Sequence, residues 1–203
     1  MRLYEVDRPK LDVSSLRTPA VMQLNKAMIR AGHEVRIVGG AVRDLVLGKD
    51  PKDIDMATDA TPDEMMKIFD QAGIRYEPTG LQHGTLTVIL DGEPIEITTL
   101  RIDKETDGRH AEVEFTRDWK VDAERRDLTF NAMSVDLDGN LYDYFGGVED
   151  LKILNALNLS AMLVHEWMKI FCVFCATSDS RADLLRPIGM QIHWPLSSKK
   201  QLA

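Results

Sequence analysis

Cysteine is scarce in this chain: two occur in 203 residues, Cys172 and Cys175, both in the last quarter. That excludes a small scaffold built on disulfides. Their C-x-x-C spacing has no second pair to complete the four ligands of a structural zinc, and no strand-then-helix pattern precedes it, so the spacing reads as chance. Long apolar runs are also missing. None reaches the length needed to cross a bilayer. Met1 to Lys10 mixes charges without the apolar centre of a secretory signal, and no amphipathic, Arg-rich transit peptide is evident. A soluble intracellular protein without membrane contact is expected. Positive charge is in the minority: 25 Lys and Arg stand against 33 Asp and Glu, a net charge of -8. Generalised adhesion to nucleic acid is thereby disfavoured, and such a partner would need a local basic patch.

An apolar fraction of 44% is ample for one packed domain and a short appendage. Residues 1–17 read as an N-terminal extension. Thr18-Pro19 opens a helix with Val21, Leu24, Met28 and Ile29 on one face, closed near Gly32. Glu34 to Val38 reads as a strand running into Gly39-Gly40 and a helix from Ala41 to Leu47. A second strand, Asp53 to Ala57, precedes a helix from Thr61 to about Gln71, where Thr61 and Glu64 form a capping box around Pro62. Strands follow at Ile74 to Glu77, Thr85 to Leu90 and Ile95 to Leu100, the last two joined through Asp91-Gly92. The stretch from Arg101 to Val113 is too polar for a core strand and reads as a mobile loop. A helical patch at Asp122 to Asp127, a buried stretch from Phe130 to Val135, a turn at 138–140 and a strand from Leu141 to Phe145 close the domain near Leu151. The expected class is α+β, a mixed sheet with helices on one side.

The sharpest constellation is Asp53-Ile54-Asp55. Strand residues alternate faces, so positions i and i+2 would place both carboxylates on one side. Two neighbouring carboxylates repel unless a cation lies between them, and Mg²⁺ is commonly held by one or two carboxylates together with substrate phosphates. Alone, a D-x-D is more often a pair of strand-end or turn aspartates. Glu96 changes the weight: in Pro94-Ile-Glu-Ile, Ile95 and Ile97 face the core and Glu96 points the other way. Should the two strands be neighbours, three carboxylates converge, as a two-metal site requires. In Val38-Gly39-Gly40-Ala41-Val42-Arg43-Asp44 the glycines would let backbone N–H groups approach a phosphate, with Arg43 adding a cation, although alone a Gly-Gly pair is more often plain turn geometry. His33, His83 and His110 read as structural or solvent-facing, and Met65, Met66 and Met133 as core.

These strings, IVGGAVRDLVLGKDPKDIDMATDATPDEM and then RRDLTFNA, closely resemble the head of class II tRNA nucleotidyltransferases, the CCA-adding enzymes. The resemblance spans about Ala20 to Leu151, and TDGRHAEVEF is most similar to the eukaryotic and mitochondrial branch. It implies a nucleotidyltransferase head of the DNA polymerase β superfamily over residues 18–151. It implies a template-independent enzyme that adds CMP and AMP from CTP and ATP to a tRNA 3′ end with Mg²⁺, in mitochondria and/or the cytoplasm and nucleus. By position, Asp53 and Asp55 match the metal ligands and Glu96 the third carboxylate. Gly39 makes the turn, while Gly40 and Arg43 match nucleotide contacts. Arg126 matches a triphosphate-side contact, and Asp127 and Asn131 resemble the part that recognises ribose.

Residues 152–203 leave the pattern. The resemblance implies an E-D-x-L-R-x-L-R-x-x-R-F element whose side chains select the base, and none is present. Taking the third base of each codon with the first two of the next, Glu166 to Arg181 can be re-read as MDEDILRILRYFRFQ, which supplies it. The tail is therefore expected to be an out-of-frame translation that packs poorly, weakly helical at best and disordered beyond Pro187, with activity reduced or lost.

Overall fold

The computed structural model describes residues 9–51, 53–103 and 113–156 of the chain. Thr18 caps α1 (Pro19–Arg30), its hydroxyl accepting from the Val21 amide at 3.3 Å, with Pro19 at a first-turn position where a missing N–H costs nothing. Ala20, Val21, Leu24 and Met28 are buried on one face. Ile29, expected beside them, is 59% exposed, because one more step of about 100° carries it past the edge of that stripe.

From there the chain runs through β1 (Val35–Val38), α2 (Gly40–Val46), β2 (Asp55–Thr58), α3 (Pro62–Ala72), β3 (Arg75–Gly80), β4 (Thr85–Leu90) and β5 (Glu93–Thr99). The capping box of α3 is present in both directions: Glu64 N–H donates to the Thr61 hydroxyl, and Thr61 N–H to the Glu64 carboxylate at 2.8 Å. Asp91 and Gly92 both take positive φ, 52° and 83°, the backbone a two-residue hairpin turn demands between β4 and β5. A short two-stranded ribbon follows, β6 (Arg101–Asp103) paired with β7 (Val113–Phe115), then α4 (Trp119–Glu124), β8 (Ser134–Val135), β9 (Leu141–Tyr142) and α5 (Gly147–Ala156).

Seven strands form one mixed sheet in the order β3-β4-β5-β2-β1-β8-β9. The β2–β5 pair is parallel and the other neighbours are antiparallel. Alternation along the strands sends Val35, Ile37, Met56, Leu86, Val88, Ile95 and Ile97 to one face, where they pack with Leu24 and Met28 of α1 and Met65 and Phe69 of α3. Met133 is buried with them and Met66 packs at their margin. Among the described residues, the opposite face carries only a small apolar group, Val38, Ala57 and Leu100, with Trp119 packed on it. Most of that face is left to polar side chains.

Several boundaries differ from the sequence expectation. The stretch expected as a loop from Arg101 begins and ends in the β6–β7 ribbon, whose Phe115 lies against Gly84, while residues 104–112 lie outside the described part. Helix α4 starts earlier than Asp122 because Asp118 caps it, accepting from the Lys120 and Val121 amides at 2.9 and 3.4 Å. Residues 9–17 are packed: Leu16 and Val13 lie in the core, and Leu11 N–H donates to Gly139 at 2.8 Å. At the other end, α5 continues through Leu151 to Ala156 with Leu154 buried. The tail beyond it, residues 157–203, lies outside the described residues.

Candidate active site

The candidate site lies on the polar face of the sheet, where register alone aligns its parts. Ser134 of β8 stands opposite Val38 of β1, Val38 opposite Asp55 of β2, Asp55 opposite Glu96 of β5, and Glu96 opposite Thr87 of β4. Direct partners share a face, so Asp55 and Glu96 are neighbours on the open side. The two strands are adjacent, as the Glu96 argument required.

Asp53 sits differently from the expectation. Strand β2 begins at Asp55, and Asp53 lies in a bend before it, so strand alternation is not what pairs the two carboxylates. They are close all the same. Burial pushes the Asp55 carboxyl above its ordinary value and the charge of Asp53 adds to that rise, while Arg126 opposes it. Among the described residues, no three His, Cys, Asp or Glu side chains gather closely enough to form a metal cluster, so the expected convergence of Asp53, Asp55 and Glu96 is not seen as a closed set. What stands there is a repelling pair with Glu96 alongside. A pair of hard oxygen donors, with Asp55 destabilised as an anion by burial and by its neighbour, suits a divalent cation that takes its remaining ligands from water or phosphate.

At the end of β1, Gly39 adopts φ 69° and ψ −130°, a conformation essentially reserved for glycine, and it caps α2. A Cβ at Gly39 would stand 3.8 Å from Nη1 of Arg126, and one at Gly40 would stand 3.5 Å from Nη2 of Arg43. The bare turn thus faces two guanidinium groups. Both converge on Asn131, in the turn Thr129–Asn131: Arg43 Nη1 donates to its side-chain oxygen and Arg126 Nη1 to its backbone carbonyl, each at 3.4 Å. The Asn131 amide in turn donates to Asp127 Oδ1 at 3.5 Å. Gly39, Gly40, Arg43, Arg126, Asp127 and Asn131 are therefore one constellation, next to Asp55.

Sequence reasoning missed two residues that hold this set. Asp44 accepts from Arg43 Nε at 3.3 Å. Asp122, 5% exposed, accepts from Arg125 Nε at 2.9 Å, Arg126 Nη2 at 3.4 Å and the Arg101 amide at 3.1 Å. The signal was present in the spacing, since Asp122 stands three and four residues before the two arginines on one helical turn. The histidines behave as expected where described. His33 Nδ1 lies 3.2 Å from Asp59 and His83 beside Gln82, away from the constellation, while His110 lies outside the described residues. No helix of the described residues is long and apolar enough to cross a membrane.

A mixed sheet bearing paired carboxylates beside a diglycine turn and two converging arginines is the arrangement of a nucleotidyltransferase head: residues 35–154 match the Poly A polymerase head domain, and the chain belongs to that family. Among its relatives, the human protein named CCA tRNA nucleotidyltransferase 1, mitochondrial, is 56% identical over 151 residues, covering 74% of this chain and 35% of the relative. A CCA-adding enzyme of Bacillus cytotoxicus is 43% identical over 123 residues, 60% of this chain and 30% of the relative. The crystal structure of the Bacillus stearothermophilus CCA-adding enzyme in complex with CTP superposes with a TM-score of 0.56 at 36% identity, over 66% of this chain and 32% of that one. The chain thus spans about a third of the length of the relatives it matches.

Proposed function

We propose that this chain carries the catalytic head of a CCA-adding tRNA nucleotidyltransferase, which transfers CMP and AMP from CTP and ATP to a tRNA 3′ hydroxyl and releases pyrophosphate. The observation that carries this reading is the meeting of Arg43 and Arg126 on Asn131, across a bare diglycine turn and beside the Asp53–Asp55 pair. Such a site has separate places for metal-bound phosphate, for the triphosphate chain and for a sugar. The likeness to enzymes named for CCA addition supports the same substrate class.

In this reading Asp53 and Asp55 hold Mg²⁺, and Glu96, opposite Asp55, serves the hydroxyl side of the site. Bound there, Mg²⁺ supplies charge neutralisation for the triphosphate and eases deprotonation of the attacking hydroxyl, with two ions as the form the resemblance implies. The guanidinium groups of Arg43 and Arg126 meet the charge that gathers on pyrophosphate as the bond to the α-phosphorus breaks. Gly39 and Gly40 keep the backbone bare so that phosphate oxygens can reach its N–H groups. Asp127 and Asn131, tied to each other, are placed to bond ribose hydroxyls. The relatives named as mitochondrial favour a mitochondrial location, and their names give no support to the cytoplasm or nucleus.

Residues 152–203 lack the base-selecting element, and in our reading that tail is an out-of-frame product, supported by the re-reading of Glu166 to Arg181 in another frame. A chain in which this tail replaces that element would be weakly active or inactive. Purified chain with tRNA lacking CCA, labelled CTP or ATP, and Mg²⁺ tests the whole reading. Trace CCA completion that stops without Mg²⁺ supports it, and long A tracts would mark a polyadenylating enzyme. Sequencing the transcript across the Leu151 codon tests the frame: an undisturbed frame drawn from unrelated DNA removes that explanation.

A further inference from the structure

Arg36 is the one strand residue on the polar face that is both charged and fully enclosed, at 5% exposure among the described residues. Its guanidinium carbon lies 4.0 Å from the ring centroid of Trp119 and 3.4 Å from that of Tyr142. Nε donates to Glu34 at 2.8 Å, and Nη1 to the hydroxyls of Tyr144 at 3.2 Å and Ser134 at 3.5 Å. Burial works against its charge, and the bonds to Glu34 and Tyr144 outweigh that, so the guanidinium is held more firmly protonated than usual. A buried cation is a costly way to fill space, and an apolar side chain of similar volume would pack as well or better. What a planar, multi-donor group adds is geometry, since it can meet ring faces and oxygen acceptors at once.

The parts joined are those that flank the nucleotide site. Arg36 stands on β1 two residues before Val38, on the same face, and three before Gly39. Trp119 opens α4, and one turn on Asp122 holds Arg126, which faces Gly39. Ser134 pairs with Val38, and Tyr142 pairs with Ser134. Helix α4 has only six residues, and its start is tied to the sheet through Trp119, which packs on Val38, Ala57 and Leu100 and stacks on the guanidinium of Arg36.

We propose that Arg36 is a positioning residue that fixes the start of α4, and through Asp122 the guanidinium of Arg126, against the Gly39–Gly40 turn. Its effect on nucleotide rests on the reading of this site as a triphosphate site. The positional effect does not.

The test is made on the full chain with Arg36→Lys, which keeps the charge and loses the plane, and with Trp119→Leu, which removes the ring from the other side. Amide hydrogen exchange is expected to quicken by about tenfold over 119–126 while α1 and α3 keep their protection. An unchanged rate over 119–126, or a uniform loss across the chain, overturns the proposal. The dissociation constant for CTP with Mg²⁺, measured by calorimetry well below Tm, is expected to rise roughly tenfold. Met28→Ala, a core truncation in α1, should lower Tm yet leave that constant alone. In an Arg126→Ala background Arg36→Lys should weaken CTP no further, and a full additional loss there overturns the route through Arg126. Failure of the parent chain to bind CTP sinks the nucleotide reading, while the exchange pattern still decides the role of Arg36.

Discussion

Arg43 and Asn131, 88 positions apart in the chain, meet at 3.4 Å, guanidinium to side-chain oxygen. The contact joins the helix after the diglycine turn to the RRDLTFNA segment, two motifs the sequence shows only as separate strings. Asn131 is then a joint between the two, because its backbone carbonyl receives Arg126 from the other side. Asn131→Ala removes the side-chain acceptor of Arg43 and the amide bonded to Asp127 but keeps the carbonyl that receives Arg126, so it should loosen Arg43 and Asp127 while Arg126 keeps that bond. The expected result is a rise in the apparent KM for CTP and ATP of about tenfold or more, with a smaller change in kcat, read by steady-state incorporation or, for an inactive form, by direct CTP binding.

Asp55 gives a prediction with a sign. Its carboxyl is raised first by burial and then by Asp53, so the folded state holds the Asp55 proton more tightly than the unfolded chain does. The stabilisation attached to that proton is complete below the unfolded aspartate value and is lost as pH rises through the raised folded value. At neutral pH, without divalent cation, Asp55→Asn should thus raise Tm slightly, and the gain should vanish in scans near pH 3. Mg²⁺ should stabilise the parent chain and not the variant. Any nucleotidyl transfer should fall by roughly a thousandfold or more in the variant, since metal chemistry is worth several kcal/mol.

Asp122 carries a prediction of the opposite kind. Its buried carboxylate accepts from Arg125, Arg126 and the Arg101 amide, and Asp122→Ala leaves those donors without it. Both arginines are partly exposed, which moderates the loss; about 2 kcal/mol is expected in urea unfolding. Asp122→Asn, which keeps one acceptor oxygen, should recover part of the stability and little of the CTP affinity.

Gly39 tolerates no side chain for a reason that lies in the backbone. With φ 69° and ψ −130°, Gly39→Ala should cost about 1–3 kcal/mol by chemical denaturation and push the turn away from Arg126. Gly147 is constrained by space instead: a Cβ there would come within 2.5 Å of the Thr129 carbonyl, in the segment that also bonds Asp150 through its hydroxyl. Gly147→Ala should lower Tm and disturb the Asn131 turn, visible as quickened amide exchange over 129–132.

Much of this was legible in the chain itself. Thr61-Pro62-Asp63-Glu64 announced the start of α3 because a capping box is local chemistry, and Asp91-Gly92 announced the hairpin because few other residues accept its dihedrals. The alternation around Glu96 gave its face, while its place opposite Asp55, conditional in the sequence on the two strands being neighbours, came only with the order of the sheet. What stayed hidden depended on contacts distant in sequence or on caps read too late. Asp53 looked like a strand residue because nothing local marks the bend that precedes Asp55. The polar run after Leu100 concealed a ribbon whose Phe115 finds its place only against Gly84 of another hairpin. Arg36 gave no signal at all: inside VRIV it looks like any solvent-facing strand residue, and its two ring partners come from positions 119 and 142.

The line Ser134, Val38, Asp55, Glu96, Thr87 crosses five strands with one residue from each. Its alignment has a genetic consequence. A single codon gained or lost within β5 ahead of Glu96 would turn Ile95 or Ile97 outward and send the carboxylate into the apolar layer, whereas many substitutions at the same codons would leave the phase intact. Within these strands, change of length is a harsher filter than change of letter, and the turns such as Asp91-Gly92 are where the chain can absorb it.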